Sequence, residues 1–525
     1  MNKMKYIKKI LIFSLILFVG FTAVSATDII EDDSSAITVE TPQVDQSNEE
    51  SFAQESVQET DNNEDETQTY TGRTYNNPIT ITPSNYGTQM SNIYSHDAVE
   101  FSGTFDSSLT NGVITITSPI VFTTTSSATF EDTQFVINSD DVTINGLTIV
   151  NDDGTNGAAI SATGYNNIEV LNNYISITKT THGETVGIKF NNTNNQVING
   201  NTIVMNVFPQ YRWEIIHHEA ENPEDSYDEY IFHLNNSAIV VDNSYDVDIE
   251  YNKIFSYNST ITEFYGTNEG LNIRNSHIVN VNYNNVTISN GDYGYGITFE
   301  NTYNSNINYN KIEVTTPNYA DGIQLVDSKT ITATYNNITA TARNATTPHN
   351  YETVAYGVYM STNWGEYKTY DNIISNNKIE VSASVTYGIE GYITRNNTIS
   401  NNIILATGNC SMGIGLYNSS KITITGNTIT VTGATRTLNA YFYEMIPPVT
   451  TGIKTLANEN SVGNTIENNN IYVSDPMLNP SDIYAIILED SENTVSSSNT
   501  LNSGSNTGRN AVNYVSGNHV FEDDE

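Results

Sequence analysis

The chain has 525 residues, one cysteine, and 60 acidic against 20 basic residues, for a formal charge of −40. A lone cysteine excludes internal disulfides, and the lack of clustered Lys and Arg disfavours nucleic acid and, unless calcium bridges them, anionic polysaccharides. Stability therefore has to come from burial and backbone pairing.

The first residues predict a secretory address. Lys3, Lys5, Lys8 and Lys9 precede the apolar run Ile10 to Phe21, and Val24-Ser25-Ala26 offers small residues for cleavage. Residues 1–26 therefore read as a signal peptide. The location expected is extracellular or at the cell surface, with no stable membrane insertion after cleavage. Residues 27–69 carry 14 acidic positions, no Lys or Arg, and few apolar residues. Such a segment cannot bury enough apolar surface to fold and is expected to be disordered. From about residue 70 the composition shifts to Thr, Asn, Tyr, Ile and Val, the residues of strands and turns. Residues 70–112 are expected to cap a solenoid and supply its first strands, and 521–525 form an acidic tail.

Between 113 and 520 the sequence repeats. One element reads Gly-apolar-any-apolar, as in Gly187-Ile188-Lys189-Phe190, Gly296-Ile297-Thr298-Phe299 and Gly322-Ile323-Gln324-Leu325. A short alternating run follows, such as Val247-Asp248-Ile249. The third element reads Asn-any-apolar, and its apolar residue recurs at Ile175, Ile203, Ile254, Val286, Ile312 and Ile338. The base period is about 26 residues, with insertions added to it. Three short strands per period predict an all-β chain folded as a right-handed parallel β-helix of about 12 or more coils, with alternate apolar residues facing inward. In "KITITGNTITVTG", residues 421–433, Ile422, Ile424, Ile429 and Val431 are expected in the core. Asn427 matches Asn173, Asn201, Asn252, Asn310 and Asn377 in other coils. These are expected to be architectural: asparagine tolerates left-handed backbone, and stacked copies can form a hydrogen-bonded ladder.

The run Asp141-Val142-Thr143-Ile144-Asn145-Gly146-Leu147-Thr148-Ile149, with the leader, the acidic segment and the coils, resembles adhesin-like surface proteins of methanogenic archaea. The resemblance implies the β-helix class that also includes pectate lyases. It also implies a non-enzymatic, secreted or surface-held protein that binds glycans or the surface proteins of other cells. Enzymes share this fold, so a polysaccharide lyase or glycoside hydrolase is an alternative, and a structural envelope component is another. No polygalacturonase-like succession of an Asp pair, Gly-His-Gly and Arg-Ile-Lys occurs. Asp140-Asp141 and Asp152-Asp153 sit in early turns, where Asp commonly initiates the turn.

Candidate ligand-binding residues lie in insertions. The largest, 206–237, holds Tyr211, Trp213, Tyr227 and Tyr230, and a smaller one holds Trp364 and Tyr367. Aromatic rings there suit stacking on sugars or apolar partners. No catalytic residue, metal ligand or cofactor is assigned; calcium is an option for the acidic loop, and His217, His218 and Glu219 lack a second ligand pair at metal-site spacing. Most long insertions follow the Asn-any-apolar element, so they are expected to rise from one side of the rod.

Overall fold

The computed structural model describes residues 72–522, apart from 153–156, 181–184, 208–212, 219–226, 233–235, 258–266, 292, 344–352, 364–366, 435–448, 457–461, 490–491 and 518. The expected leader and acidic segment lie outside these residues. The fold is a parallel β-helix. Each coil contributes three strands, and each strand pairs in parallel with its counterpart in the next coil. The glycine elements form one sheet of 14 strands, including Thr267–Arg274, Tyr293–Glu300, Tyr319–Val326 and Val354–Ser361. We call this the glycine face. The alternating runs form a middle face, including Tyr245–Glu250, His277–Asn282, Tyr303–Asn308 and Lys329–Thr334. The third element forms the asparagine face, including Lys253–Tyr257, Asn285–Ser289, Lys311–Thr316 and Asn337–Ala342.

The core is the lumen of the coils. Apolar positions two apart stack in register: Ile249 on Val281, and Ile254 on Val286 on Ile312 on Ile338, all fully buried. β-Branched residues suit this site because their stiff side chains pack well on a pleated surface. At the N-terminal end the lumen fills with rings. Phe101, Phe105, Phe122, Phe130 and Phe135 are all fully buried, at centroid spacings such as 5.1 Å for Phe101–Phe130. Tyr86, from the helical turn Tyr86–Gln89, and Ile93, from the 3₁₀ turn Met90–Ser95, close over them.

The corner between the middle and asparagine faces is held by eleven stacked asparagines: 173, 201, 252, 284, 310, 336, 377, 402, 427, 469 and 499. At Asn427 the backbone N–H and Nδ2 donate to Asn469 Oδ1 at 3.0 and 2.9 Å, and Nδ2 also donates to Ile399 O at 2.9 Å. Its own Oδ1 accepts from the backbone N–H and Nδ2 of Asn402, both at 3.0 Å. One element of the sequence reading is corrected. The left-handed backbone falls not on these asparagines but one residue earlier, at Asn172, Gly200, Tyr251, Asn376, Asn401 and Gly426 among others. The residue at the apex of the turn takes the positive φ; the next one then aims its amide into the corner.

The glycines have a steric reason. A Cβ on Gly322 would stand 2.6 Å from Gly357 O and collide with Ile338 on the asparagine face. Gly322 and Ile323 both turn inward, and the pairing register steps over the glycine, or over Ala238 in the strand Asn236–Asp242, in each coil from Thr185–Asn191 to Thr450–Leu456. That kink brings the residues before and two after each glycine onto the same outward side.

Two substitutions test this frame. Asn427→Ala strips partners from the buried Asn402 N–H and Ile399 C=O, and should cost about 2–4 kcal/mol in urea unfolding. Gly322→Ala, with no space for its methyl group, should lower the melting temperature further than Thr339→Ala at a half-buried outward position.

Candidate functional site

The outward pairs of the glycine face form a continuous strip. In successive coils they are Glu269 and Asn272, Tyr295 and Thr298, Asp321 and Gln324, Tyr356 and Tyr359, then Tyr387 and Glu390. An outward strip on a β-helix normally faces water, but here Glu269, Asp321 and Glu390 are buried, at 1 %, 0 % and 7 % exposure. Tyr356 stacks on Tyr387 at 5.0 Å between centroids with planes 6° apart, and Tyr319 lies 5.5 Å from Tyr356 and 5.8 Å from Tyr295. Beyond Tyr387 the strip becomes an apolar cluster of Val385, Cys410 and Met412, which accounts for the burial of Cys410.

Burial sets the electrostatics. Glu269 Oε2 accepts from Ser237 Oγ at 2.5 Å and Asn272 Nδ2 at 2.7 Å, yet burial still raises its pKa. Burial, then the nearby charge of Glu390, holds Asp321 well above the carboxylate range. Burial pushes Glu390 up to about 8, partly offset by a hydrogen bond from the Tyr356 hydroxyl. At neutral pH Glu390 thus carries a proton it can donate. Burial raises Tyr295, Tyr319, Tyr356 and Tyr387 as well, so the phenols stay protonated.

The strip has unmet hydrogen-bonding capacity. Asp321 Oδ2 accepts from Gln324 Nε2 at 3.2 Å, while Asp321 Oδ1, Asn272 Oδ1 and Thr298 Oγ1 are buried with no partner. These three atoms sit on adjacent strands. A buried polar group without a partner costs about 1–3 kcal/mol, so the strip favours a ligand rich in hydroxyls, which both donate and accept. Among the described residues, no three His, Cys, Asp or Glu side chains converge to hold a metal ion.

The sequence-predicted residues lie elsewhere. Tyr211 and Trp364 fall outside the described residues. Trp213, Tyr227 and Tyr230 lie on an antiparallel hairpin, Trp213–His218 against Tyr227–Phe232, with Trp213 opposite Phe232 and Tyr230 opposite Ile215. Tyr367 is half-buried, its hydroxyl 3.3 Å from Ser420 Oγ. The long insertions each join an asparagine-face strand to a glycine-face strand, so the chain enters the glycine face from them. Asp140 and Asp141 serve turns: Asp140 Oδ1 accepts from the Asn166 N–H at 2.7 Å, and Asp141 has a left-handed φ and an ion pair with Arg73 at 3.4 Å. The sequence reading missed Glu269, Asp321 and Glu390, because it took the positions flanking each glycine as free. Their signal was acid, amide and Tyr where other outward positions hold Thr.

No family model and no curated protein sequence matches this chain. Solved β-helix structures do. A DFA-IIIase from Arthrobacter chlorophenolicus A6, in complex with DFA-III, is similar at 10% identity and TM-score 0.41, over 78% of this chain and 88% of that one. A periplasmic alginate epimerase is similar at 13% identity and TM-score 0.33, over 75% and 84%. An alginate lyase from Paenibacillus sp. str. FPU-7 is similar at 12% and 0.32, over 72% and 91%. At these scores no residue and no activity transfers.

Linkage gives a test. The folded state holds the Glu390 proton more tightly than the unfolded chain, whose ordinary value is 4.5. This stabilising contribution is complete below about 4.5 and is lost as pH rises through about 8, at about 1.4 kcal/mol per pH unit inside the window. Melting temperatures should fall across that range. Glu390→Gln should flatten the fall, leaving the slope that Glu269 and Asp321 contribute.

Proposed function

We propose that the protein is an extracellular, adhesin-like glycan-binding β-helix whose binding surface is the strip on the glycine face. The observation that carries this reading is the set of buried polar atoms without a partner, Asp321 Oδ1, Asn272 Oδ1 and Thr298 Oγ1, beside the ring contacts of Tyr319, Tyr356 and Tyr387. Sugar hydroxyls both donate and accept, so they can pair with such atoms, and sugars offer apolar ring faces to tyrosines. The net charge of −40 favours neutral glycans over acidic ones. Partners of this chemistry are the glycans of another cell's surface. Among the described residues no helix is long and apolar enough to cross a membrane.

A second reading is carbohydrate turnover on the same strip, and Glu390 favours it. A carboxyl that keeps its proton to about pH 8 is poised as a general acid for a glycosidic oxygen. Asp321 lies two strands away in the register, about 10 Å along the rod axis.

A glycan array, read beside assays for reducing ends and unsaturated products, separates the readings. Binding without turnover is expected. Tyr356→Ala should weaken binding by at least about tenfold, as for an aromatic anchor, with the β-rich circular dichroism retained. Trp213→Ala reports whether the hairpin contributes. Reproducible products, abolished by Glu390→Gln, would replace the adhesin reading with the enzymatic one. Binding by neither wild type nor variants would leave a structural role.

A further inference from the structure

The middle face carries a second arrangement that the glycine face does not explain. At the apex of the asparagine corner, ten of the eleven coils place a left-handed residue, and six of these ten use Asn or Gly: Asn172, Gly200, Asn376, Asn401, Gly426 and Asn468. Four successive coils use Tyr251, Tyr283, Tyr309 and Tyr335 instead, all with φ between 56° and 58°. A left-handed backbone is costlier for a bulky residue than for Asn or Gly, so the fold alone does not select tyrosine there. The four rings stack in one column at 5.0, 5.0 and 4.9 Å between centroids, with planes within 5°. The last three are 47 %, 48 % and 52 % exposed, so stacking has not hidden them.

A second column stands at the other end of the same strands. His277 stacks on Tyr303 at 4.8 Å with planes 4° apart, Tyr245 lies tilted by 44° at 4.5 Å from His277, and Lys329 Nζ caps the Tyr303 ring at 5.6 Å. The columns bracket six residues of strand, about 20 Å. Between them lies a half-buried amide floor. Asn306 Nδ2 donates to Asn280 Oδ1 and Asn280 Nδ2 to Asp248 Oδ1, both at 2.8 Å. In the next row Asn282 Nδ2 donates to Glu250 Oε1 at 3.1 Å. Two floor oxygens in that row, Asn199 Oδ1 and Asn282 Oδ1, are buried without a partner, and Asn199 is only 2 % exposed.

We infer that this trough is a second glycan-binding surface, which holds an extended neutral β-linked glycan along the rod axis. Its aromatic walls repeat once per coil, and an extended pyranose chain advances by nearly that distance per sugar. The floor supplies amide donors and acceptors to hydroxyls, and the two unpartnered oxygens await donors. Hydroxyls along the chain would meet the tyrosine edges and phenols rather than stacking on ring faces, since those faces are taken by neighbouring rungs. This inference does not rest on the glycine-face reading, because it uses other residues on another sheet.

The test is tyrosine acetylation with N-acetylimidazole, mapped by mass spectrometry on the full chain, with cellohexaose or chitohexaose as probe. Protection of Tyr283, Tyr309 and Tyr335 by at least one of these is expected. The double variant Tyr283→Asn, Tyr309→Asn installs the residue that other coils use, so it should keep its melting temperature within a few degrees while its affinity for that oligosaccharide falls by at least about tenfold. Protection of Tyr295 and Tyr356 alone would overturn the inference and leave the glycine-face reading standing. No protection of any tyrosine, or unchanged affinity in the folded variant, would overturn it as well. If the variant unfolds, the ladder is structural, and the acetylation map of the wild type decides.

Discussion

The fold depends on one exchange at each asparagine corner. A parallel β-helix turns sharply between its faces, and every turn leaves backbone N–H and C=O groups that the ladders of the flat faces cannot reach. The asparagine side chain supplies both halves of the missing pairing. Its amide reaches back to a carbonyl, as Asn427 does to Ile399, and its oxygen receives the backbone N–H of the preceding rung. Because each asparagine also bonds to its neighbours, a coil whose corner slips out of register loses bonds on both sides. The corner thus fixes the rise of the rod and aligns the apolar stacks of the lumen.

With the corner fixed, the glycine kink becomes the feature that shapes the surface. The strand does not alternate regularly through residue 322, so Asp321 and Gln324 face the same way instead of opposite ways. A glycine, or an alanine such as Ala238, lets two consecutive residues turn inward, and each coil then presents a pair of side chains on one strip. Steric exclusion inside the lumen thereby sets the chemistry outside it.

The rod and its period were legible in the sequence because both reflect local rules repeated in every coil. Alternation marks the strands, Gly marks the close approach to Ile, and Asn marks the corner. The offset of the left-handed residue was not legible, since an Asn-Asn pair such as Asn172-Asn173 reads the same whichever member takes the positive φ. Nor was the strip. Whether Glu390 is a solvated surface acid or a buried proton carrier depends on what covers it, and burial is set by chain remote in sequence. Tyr283 and Tyr309 were visible only as members of a Tyr-rich composition. Their meaning came from the backbone they occupy, which composition does not encode.

The spatial order of the coils is their order along the chain, and each touches only its neighbours. Tension applied through the two ends of such a molecule has no shortcut across it. The load enters at a terminal coil, where only one neighbour resists, and opens the rod by peeling successive turns. Each turn yields about 26 residues of slack before the next one is strained. A rod built this way lengthens stepwise under a pull and sheds load, while the coils still wound keep their faces whole.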